Sequence, residues 1–336
     1  MIGDPDMPPF FSVAIPLYNK APHIKRAIDS VLAQTFRDFE IIVVDDASTD
    51  GGDKLVLQYT DTRITLMHRD TPGPGGYAAR NLALCNARGR WVAFLDADDE
   101  WLPGHLLNAH VLILQYPETV LVGCGWQVDR GTGERYPSPY FAKHHDRGPH
   151  VVSCRDYLRE CVSGRRAVHT SVACVRRSKV EGCELFPESM SAQRGGDLHA
   201  WLTLVCEHKS LAWSNHIGAT YYTDAVNMVT ATAPSSKSLT SRRVYRKLGA
   251  KLNGVERRWL RKYLNRRLRN GWANNIIKED RGYRLVRNLY WRGDWWFAAI
   301  TSLLTLLPRK VLRGLIFRQT KLVEQRTRSA AIGLLH

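Results

Sequence analysis

Along the first two thirds of the chain, short apolar runs alternate with segments whose apolar positions recur at helical spacing. Phe11 to Ile15 forms a short apolar run that predicts a buried strand stopped by Pro16. Pro22 stands where the first turn of a helix tolerates proline, and Ile24, Ala27, Ile28, Val31 and Leu32 then mark one helical face. "FEIIVVDD" predicts a second buried strand ending at Asp45 and Asp46. A helix in "GDKLVLQY", a strand in "RITLMH", a glycine-rich loop, a helix in "YAARNLALCNA" and a strand over Trp91–Leu95 continue the series. Continuous apolar strands alternating with helices predict a parallel α/β sheet covered on both faces.

Ligands bind such sheets beyond the carboxyl ends of the strands. Here those ends carry "PLYN", "DDAST" and "DADD", so three polar clusters are expected on one rim. Further along, "LLNAHVLILQY" predicts a helix and "TVLVGCGWQV" a strand. Gly131 to His150 reads as a surface loop or flap, "VHTSVACVRRS" as a strand, and "GGDLHAWLTLV" as a helix opening behind two glycines. From about Ser238 the pattern is helical and rich in arginine. The expected division is therefore residues 1–237, with halves 10–130 and 131–237, followed by a basic helical extension over 238–336.

Charge sharpens that division. The chain of 336 residues carries a formal net charge of +16, but residues 240–336 hold 24 Lys and Arg against 5 Asp and Glu. That segment is +19 and the remainder −3, which points to two different jobs. Seven scattered cysteines without a CxxC suggest neither a disulfide framework nor a zinc site, and fit a reducing cytoplasm. The acidic, proline-rich N-terminus lacks the basic region of a secretory signal, and no run reaches the roughly 20 apolar residues of a membrane span.

The chemistry concentrates where the strand Trp91–Leu95 runs into Asp96, Asp98 and Asp99. Clustered carboxylates cost free energy unless a cation or hydrogen-bond donors compensate them. Capping of a following helix accounts for one of them, Asp99, but not for three acids beside Asp45 and Asp46. A divalent cation, Mn²⁺ or Mg²⁺, is the economical compensation, because one or two carboxylates, waters and substrate phosphate oxygens complete its shell. Such a metal would bridge a diphosphate and neutralise it as it leaves. Gly73, Gly75 and Ala78 also fit a dinucleotide fingerprint, but on the third strand, and that reading leaves the other carboxylates unexplained.

The succession "VAIPLYN", "IIVVDDASTD", "AARNLALCNARGRWVAFLDADD" and "LFPESMSAQRGGDLHAWLTLV" resembles the family 2 glycosyltransferases over about residues 10–215. The resemblance implies a GT-A fold, a Rossmann-like α/β sandwich with a mainly parallel central sheet, and inverting transfer of a sugar from a UDP- or GDP-sugar. It implies that Pro16, Tyr18 and Asn19 line the nucleotide-sugar site, that Asp46 accepts from the base, and that Arg80 approaches the nucleotide. Asp96 would take the ribose or sugar, Asp98 the metal on the diphosphate, and Asp197 the proton of the acceptor hydroxyl. An Asp at a helix start behind Gly195 and Gly196 suits a general base, with His199 a second candidate. The chain departs from the family pattern at Ala47, where Gly is usual, and at Gly196, where Glu is common; a His often found after the last strand of the domain is not evident.

In the basic segment, "VERRW" half-resembles a motif of processive synthases, but Val255 replaces the Gln. Trp295 to Leu307 is too short to cross a bilayer, and with its basic neighbours suits a helix lying on an anionic membrane surface. The expected partners are a nucleotide-sugar donor, a glycan or lipid-linked saccharide acceptor and the inner face of a bacterial cytoplasmic membrane. The competing reading is an α/β binding protein acting on nucleic acid through these basic helices.

Overall fold

The computed structural model describes residues 7–226 apart from 181, 183 and 189–194, then 242–277, and 288–316 apart from 293. Strands β1 (Phe11–Leu17), β2 (Phe39–Asp45), β3 (Ile64–His68) and β4 (Trp91–Phe94) form the first half of one sheet. Their order is β3-β2-β1-β4 and every pairing among them is parallel. Helices α1 (Ala21–Leu32), α2 (Gly52–Val56) and α3 (Tyr77–Asn86) make the crossovers. Side chains alternate along the strands and supply two cores. Val13, Ile15, Ile41, Val43 and Ala93 pack on the side of α1. Ala14, Ile42, Val44, Val92 and Phe94 pack on the side of α3.

The second half adds β5 (Glu100–Trp101), β6 (Leu121–Asp129), β7 (Arg135–Pro137), β8 (His150–Ser153), β9 (Cys174–Arg176) and β10 (Ser210–Tyr222). The sheet continues β4-β9-β6-β10-β5, with β7 beside β6 and β8 beside β10. Here β9 runs antiparallel between β4 and β6, whereas β6 and β10 are parallel. Helix α4 (His105–Gln115) covers the α1 side; α6 (Cys154–Val162) and α7 (Gly196–His208) cover the other. Leu248 of α8 (Arg242–Gly249) and Leu260 and Leu264 of α9 (Gly254–Ile277) join that second core.

Three local expectations are corrected. Pro16 lies inside β1 rather than ending it. Ala14 accepts from Leu95 of the β4 side, Leu17 from Asp46 of the β2 side, so the alternating Pro16 nitrogen faces the β4 side beyond the end of that strand. No ladder bond is lost there. Gly131 to His150 is not a loop: it contains β7 and helix α5 (Pro139–His144), whose Tyr140 is buried edge-on against Trp213 at 5.1 Å. "VHTSVACVRRS" divides into a 3-10 turn at Thr170–Val172 and the short β9.

Helix α10 (Trp295–Leu304) buries only Ala298 and Thr301, while Trp295, Trp296, Ile300 and Leu303 are exposed. No helix among the described residues is long and apolar enough to cross a membrane.

Candidate active site

Parallel register makes the rim. Phe11 pairs with both Phe39 and Trp91, so β1, β2 and β4 start level and their polar ends emerge together. Pro16 is half-buried and Tyr18 exposed. Asn19 ties two loops: its Oδ1 accepts from Thr49 N at 2.8 Å, and its own N donates to Ser48 Oγ at 3.1 Å. Ala47 has a φ of 60°, a left-handed conformation costing an L-residue roughly 1–2 kcal/mol, which gives the family's usual glycine a physical reason.

The carboxylates are compensated one by one, and mostly by the chain itself. Asp46, buried, accepts from Arg69 and from the Gly73 amide at 3.1 Å, so the glycine-rich loop is held by a carboxylate instead of being left open for a phosphate. Asp96 pairs with Arg80, whose guanidinium also donates to Gly75 O. Burial alone would raise the Asp96 carboxyl, but Arg80 beside it and His169 nearby hold it below the usual carboxylate range. Asp98 Oδ2 receives the Lys20 ammonium at 2.6 Å, and Asp98 O receives Arg26, which lies 3.6 Å over the Tyr222 ring. Asp99 is fully buried, accepting from Ser171 Oγ and from Tyr222 N. Burial, with Asp98 and Asp96 alongside, pushes its carboxyl well above the usual range. Thus the sheet runs into three paired carboxylates and one that favours its proton. Among the described residues the rim carboxylates form no three-ligand metal group.

The second half of the site arrives through α3. Asn81 Nδ2 donates to Phe186 O and to Glu188 Oε1, each at 2.8 Å, and its Oδ1 accepts from Phe186 N at 2.9 Å. This clip fastens residues 185–188, upstream of α7, to the donor half. Tyr77 accepts from Gly196 N at 2.8 Å, and a Cβ at position 196 would lie 2.4 Å from the Tyr77 ring. A Glu there has no room beside Tyr77, which accounts for that departure from the family pattern. Asp197, half-buried in the first turn of α7, lies within electrostatic reach of Arg80 and His169. His199 is buried, and burial together with Lys247 pushes it down to about 4; the charges that reach it are Lys247 and Glu207, not those of the rim.

The structure therefore brings Asp96, Asp98, Arg80 and Asp197 into one electrostatic neighbourhood, with Pro16, Tyr18 and Asn19 on the same edge and Asp46 turned into its own loop. Sequence reasoning missed Lys20, Arg26, Arg69, His169, Ser171 and Tyr222. His169 sits between Trp126 at 5.3 Å and Tyr221 at 4.9 Å, and burial pushes it down to about 4. None of these has a local sequence signal, because each comes to the acidic groups from a distant part of the chain.

The chain is similar to known glycosyltransferases in sequence and in fold. Residues 12–173 match the family model of Glycosyl transferase family 2. The succinoglycan biosynthesis protein ExoW of Rhizobium meliloti (strain 1021) is 48% identical over 105 residues, 30% of this chain and 32% of that protein. The Escherichia coli UDP-Glc:alpha-D-GlcNAc-diphosphoundecaprenol beta-1,3-glucosyltransferase WfgD is 42% identical over 95 residues, 28% of this chain and 37% of that protein. The matched stretches thus span well under half of those relatives. Among solved structures, S. aureus TarS 1-349 in complex with UDP-GlcNAc has a TM-score of 0.68 at 18% identity, covering 92% of each chain. The mannosyltransferase PcManGT from Pyrobaculum calidifontis, in complex with GDP-Man and Mn²⁺, has a TM-score of 0.51 at 21% identity, covering 99% of this chain and 88% of that one. The fold is that of the GT-A glycosyltransferases.

Proposed function

Because residues 12–173 match the family model of Glycosyl transferase family 2, we propose that this chain moves a sugar, with inversion, from a nucleoside-diphosphate sugar to a hydroxyl of a glycan or lipid-linked saccharide. The observation that carries the reading is the meeting of the Asp96–Asp99 strand end with the Asp197 helix start, through Arg80. The nucleobase and ribose lie along Pro16, Tyr18 and Asn19, with Asp46 holding the loop that closes on the base. Asp96, kept ionised by Arg80, accepts from ribose or sugar hydroxyls.

A single carboxylate with diphosphate oxygens and water is a sufficient donor set for Mn²⁺ or Mg²⁺, so Asp98 fits a divalent ion. That ion, when bound, supplies charge neutralisation to the leaving diphosphate. Lys20 stands 2.6 Å from Asp98 Oδ2, so an ion bound to that oxygen would take the place of the ammonium. On the opposite side Asp197 takes the acceptor hydroxyl proton as that oxygen attacks the anomeric carbon. The fold favours this enzyme reading over action on nucleic acid, because the polar groups converge on the sheet rim and not on the basic helices.

Attachment to an anionic membrane surface is the second half of the proposal. It is supported by the exposed Trp295, Trp296, Ile300 and Leu303 of α10, followed by Arg309, Lys310 and Arg313. The proposed place is the inner face of a bacterial cytoplasmic membrane with a lipid-linked acceptor, and the same surface together with the WfgD likeness supports it.

Calorimetric titration of UDP and GDP with Mn²⁺, then with EDTA, tests the donor site in wild type and Asp98→Ala. Metal-dependent binding lost in Asp98→Ala is expected. Equal affinity under every condition overturns the metal assignment, and binding of neither nucleotide overturns the enzyme reading.

A further inference from the structure

We propose that His105, Cys124 and His216 form a second metal site, structural in role and suited to a zinc-type ion, beneath the catalytic rim. Their ligating atoms lie within 4.8 Å of one another, and they form the one such three-residue group among the described residues. His105 opens α4, Cys124 stands in β6, and His216 stands where the β10 register with β6 is irregular. Three elements therefore converge on one point.

The distances suit an ion of that kind. Cys124 Sγ is 3.7 Å from His105 Nδ1. Tetrahedral zinc with Zn–S of about 2.3 Å and Zn–N of about 2.0–2.1 Å separates such a pair by about 3.6 Å. His216 Nδ1 is engaged by Ser214 Oγ at 2.9 Å, leaving Nε2 as the atom free to ligate. That hydroxyl does what the hydrogen-bond partners of metal-bound histidines do, selecting the nitrogen and orienting the ring. His216 Nε2 is buried without a hydrogen-bond partner, and such a group calls for a compensating interaction.

The backbone also makes room for this approach. A Cβ at Gly218 would lie 2.4 Å from His105 Nδ1 and 2.6 Å from Cys124 Sγ, so glycine is the residue that lets β10 pass behind the pair. Trp101 packs its ring 4.6 Å from His105. Burial keeps both imidazoles neutral, His216 pushed down to about 4, which is the ligating form. Burial also holds the Cys124 thiol protonated, so a metal binds by displacing that proton, which leaves to solvent as the thiolate–metal bond forms. A soft thiolate with two imidazoles selects zinc-type ions over the oxygen-preferring Mg²⁺.

The ion would fasten α4 and β5, which directly follow Asp96–Asp99, to β10. Unlike the donor-site metal, it is independent of the sugar-transfer reading.

Full-length protein is prepared with Zn²⁺, dialysed against metal-free buffer and its zinc measured by mass spectrometry; a second sample is titrated with Co²⁺. Stoichiometric zinc and a thiolate-to-cobalt charge-transfer band are expected. Cys124→Ser should abolish the band, and Asp98→Ala should keep it, since that site has only oxygen ligands. His216→Gln should weaken zinc binding by at least the roughly 10–100-fold lost when only a ligand's hydrogen-bond partner is changed, with the folded state checked by circular dichroism. If Cys124→Ser does not fold, the His216→Gln affinity decides. Wild type without a band, a band retained in Cys124→Ser, or unchanged zinc affinity in His216→Gln overturns the proposal.

Discussion

Replacing Gly196 by Ala adds one methyl group beside the proposed base, and the geometry gives its cost. The new Cβ would lie 2.4 Å from Tyr77 Cζ and 2.7 Å from both Cε atoms, against the roughly 3.5–4.0 Å of ordinary carbon contacts. About 1 Å of overlap must be relieved. Tyr77 is buried, its ring parallel to Phe186, and its hydroxyl holds Gly196 N. Moving either partner therefore strains the packing by about 1–3 kcal/mol and weakens a hydrogen bond of about 1 kcal/mol. Gly196 has no positive φ, so backbone strain adds nothing, and the better helix propensity of Ala offsets at most about 1 kcal/mol.

The expected loss is about 2–3 kcal/mol by urea denaturation, read at constant m. Transfer should fall by about 10²-fold, because Asp197 shifts with the helix start and an ångström of misplacement has that effect. The decisive assay is the double-mutant cycle with Tyr77→Ala. Without the ring, Gly196→Ala should be nearly neutral, giving a coupling of about 2 kcal/mol. Additivity within about 0.5 kcal/mol would refute the steric account.

Asp197→Asn keeps the shape of the base but not its basicity, so transfer should drop by roughly 10²–10⁴-fold with donor affinity unchanged in calorimetry; near wild-type transfer would remove Asp197 from the role. Asp99→Asn should gain stability relative to wild type between about pH 5 and pH 8. The raised folded pKa of Asp99 means that its contribution is present below the unfolded value of about 3.9 and is lost as pH rises through the folded value. Urea curves at both pH values check this, and an identical difference at each would show that Asp99 does not carry the proton. Sedimentation with phosphatidylglycerol vesicles should exceed that with phosphatidylcholine and fall with salt; Trp296→Ser with Leu303→Ser should weaken it, and indifference to both would remove α10 from the membrane.

What the sequence determined by itself was the periodic part of the molecule. Ala14, Ile42 and Phe94 belong to one core and Val13, Ile41 and Ala93 to the other because side chains alternate along strands, a rule that acts within a few residues. The same local rule placed "PLYN", "DDAST" and "DADD" at strand ends, and parallel register then made them one rim. The compensation of the carboxylates was a different matter. Lys20 reaches Asp98 across 78 positions, Ser171 reaches Asp99 across 72, and Asn81 clips Phe186 across 105. No spacing rule connects such pairs. A charge argument could say only that the acids needed compensation; it could not say that Arg80 and Lys20 supply part of it. Tertiary packing also decided Gly131–His150, whose polar composition conceals Tyr140 because its apolar partner, Trp213, lies in β10. It decided Gly196 in the same way: a residue that reads as a missing carboxylate is the one that leaves space for the Tyr77 ring.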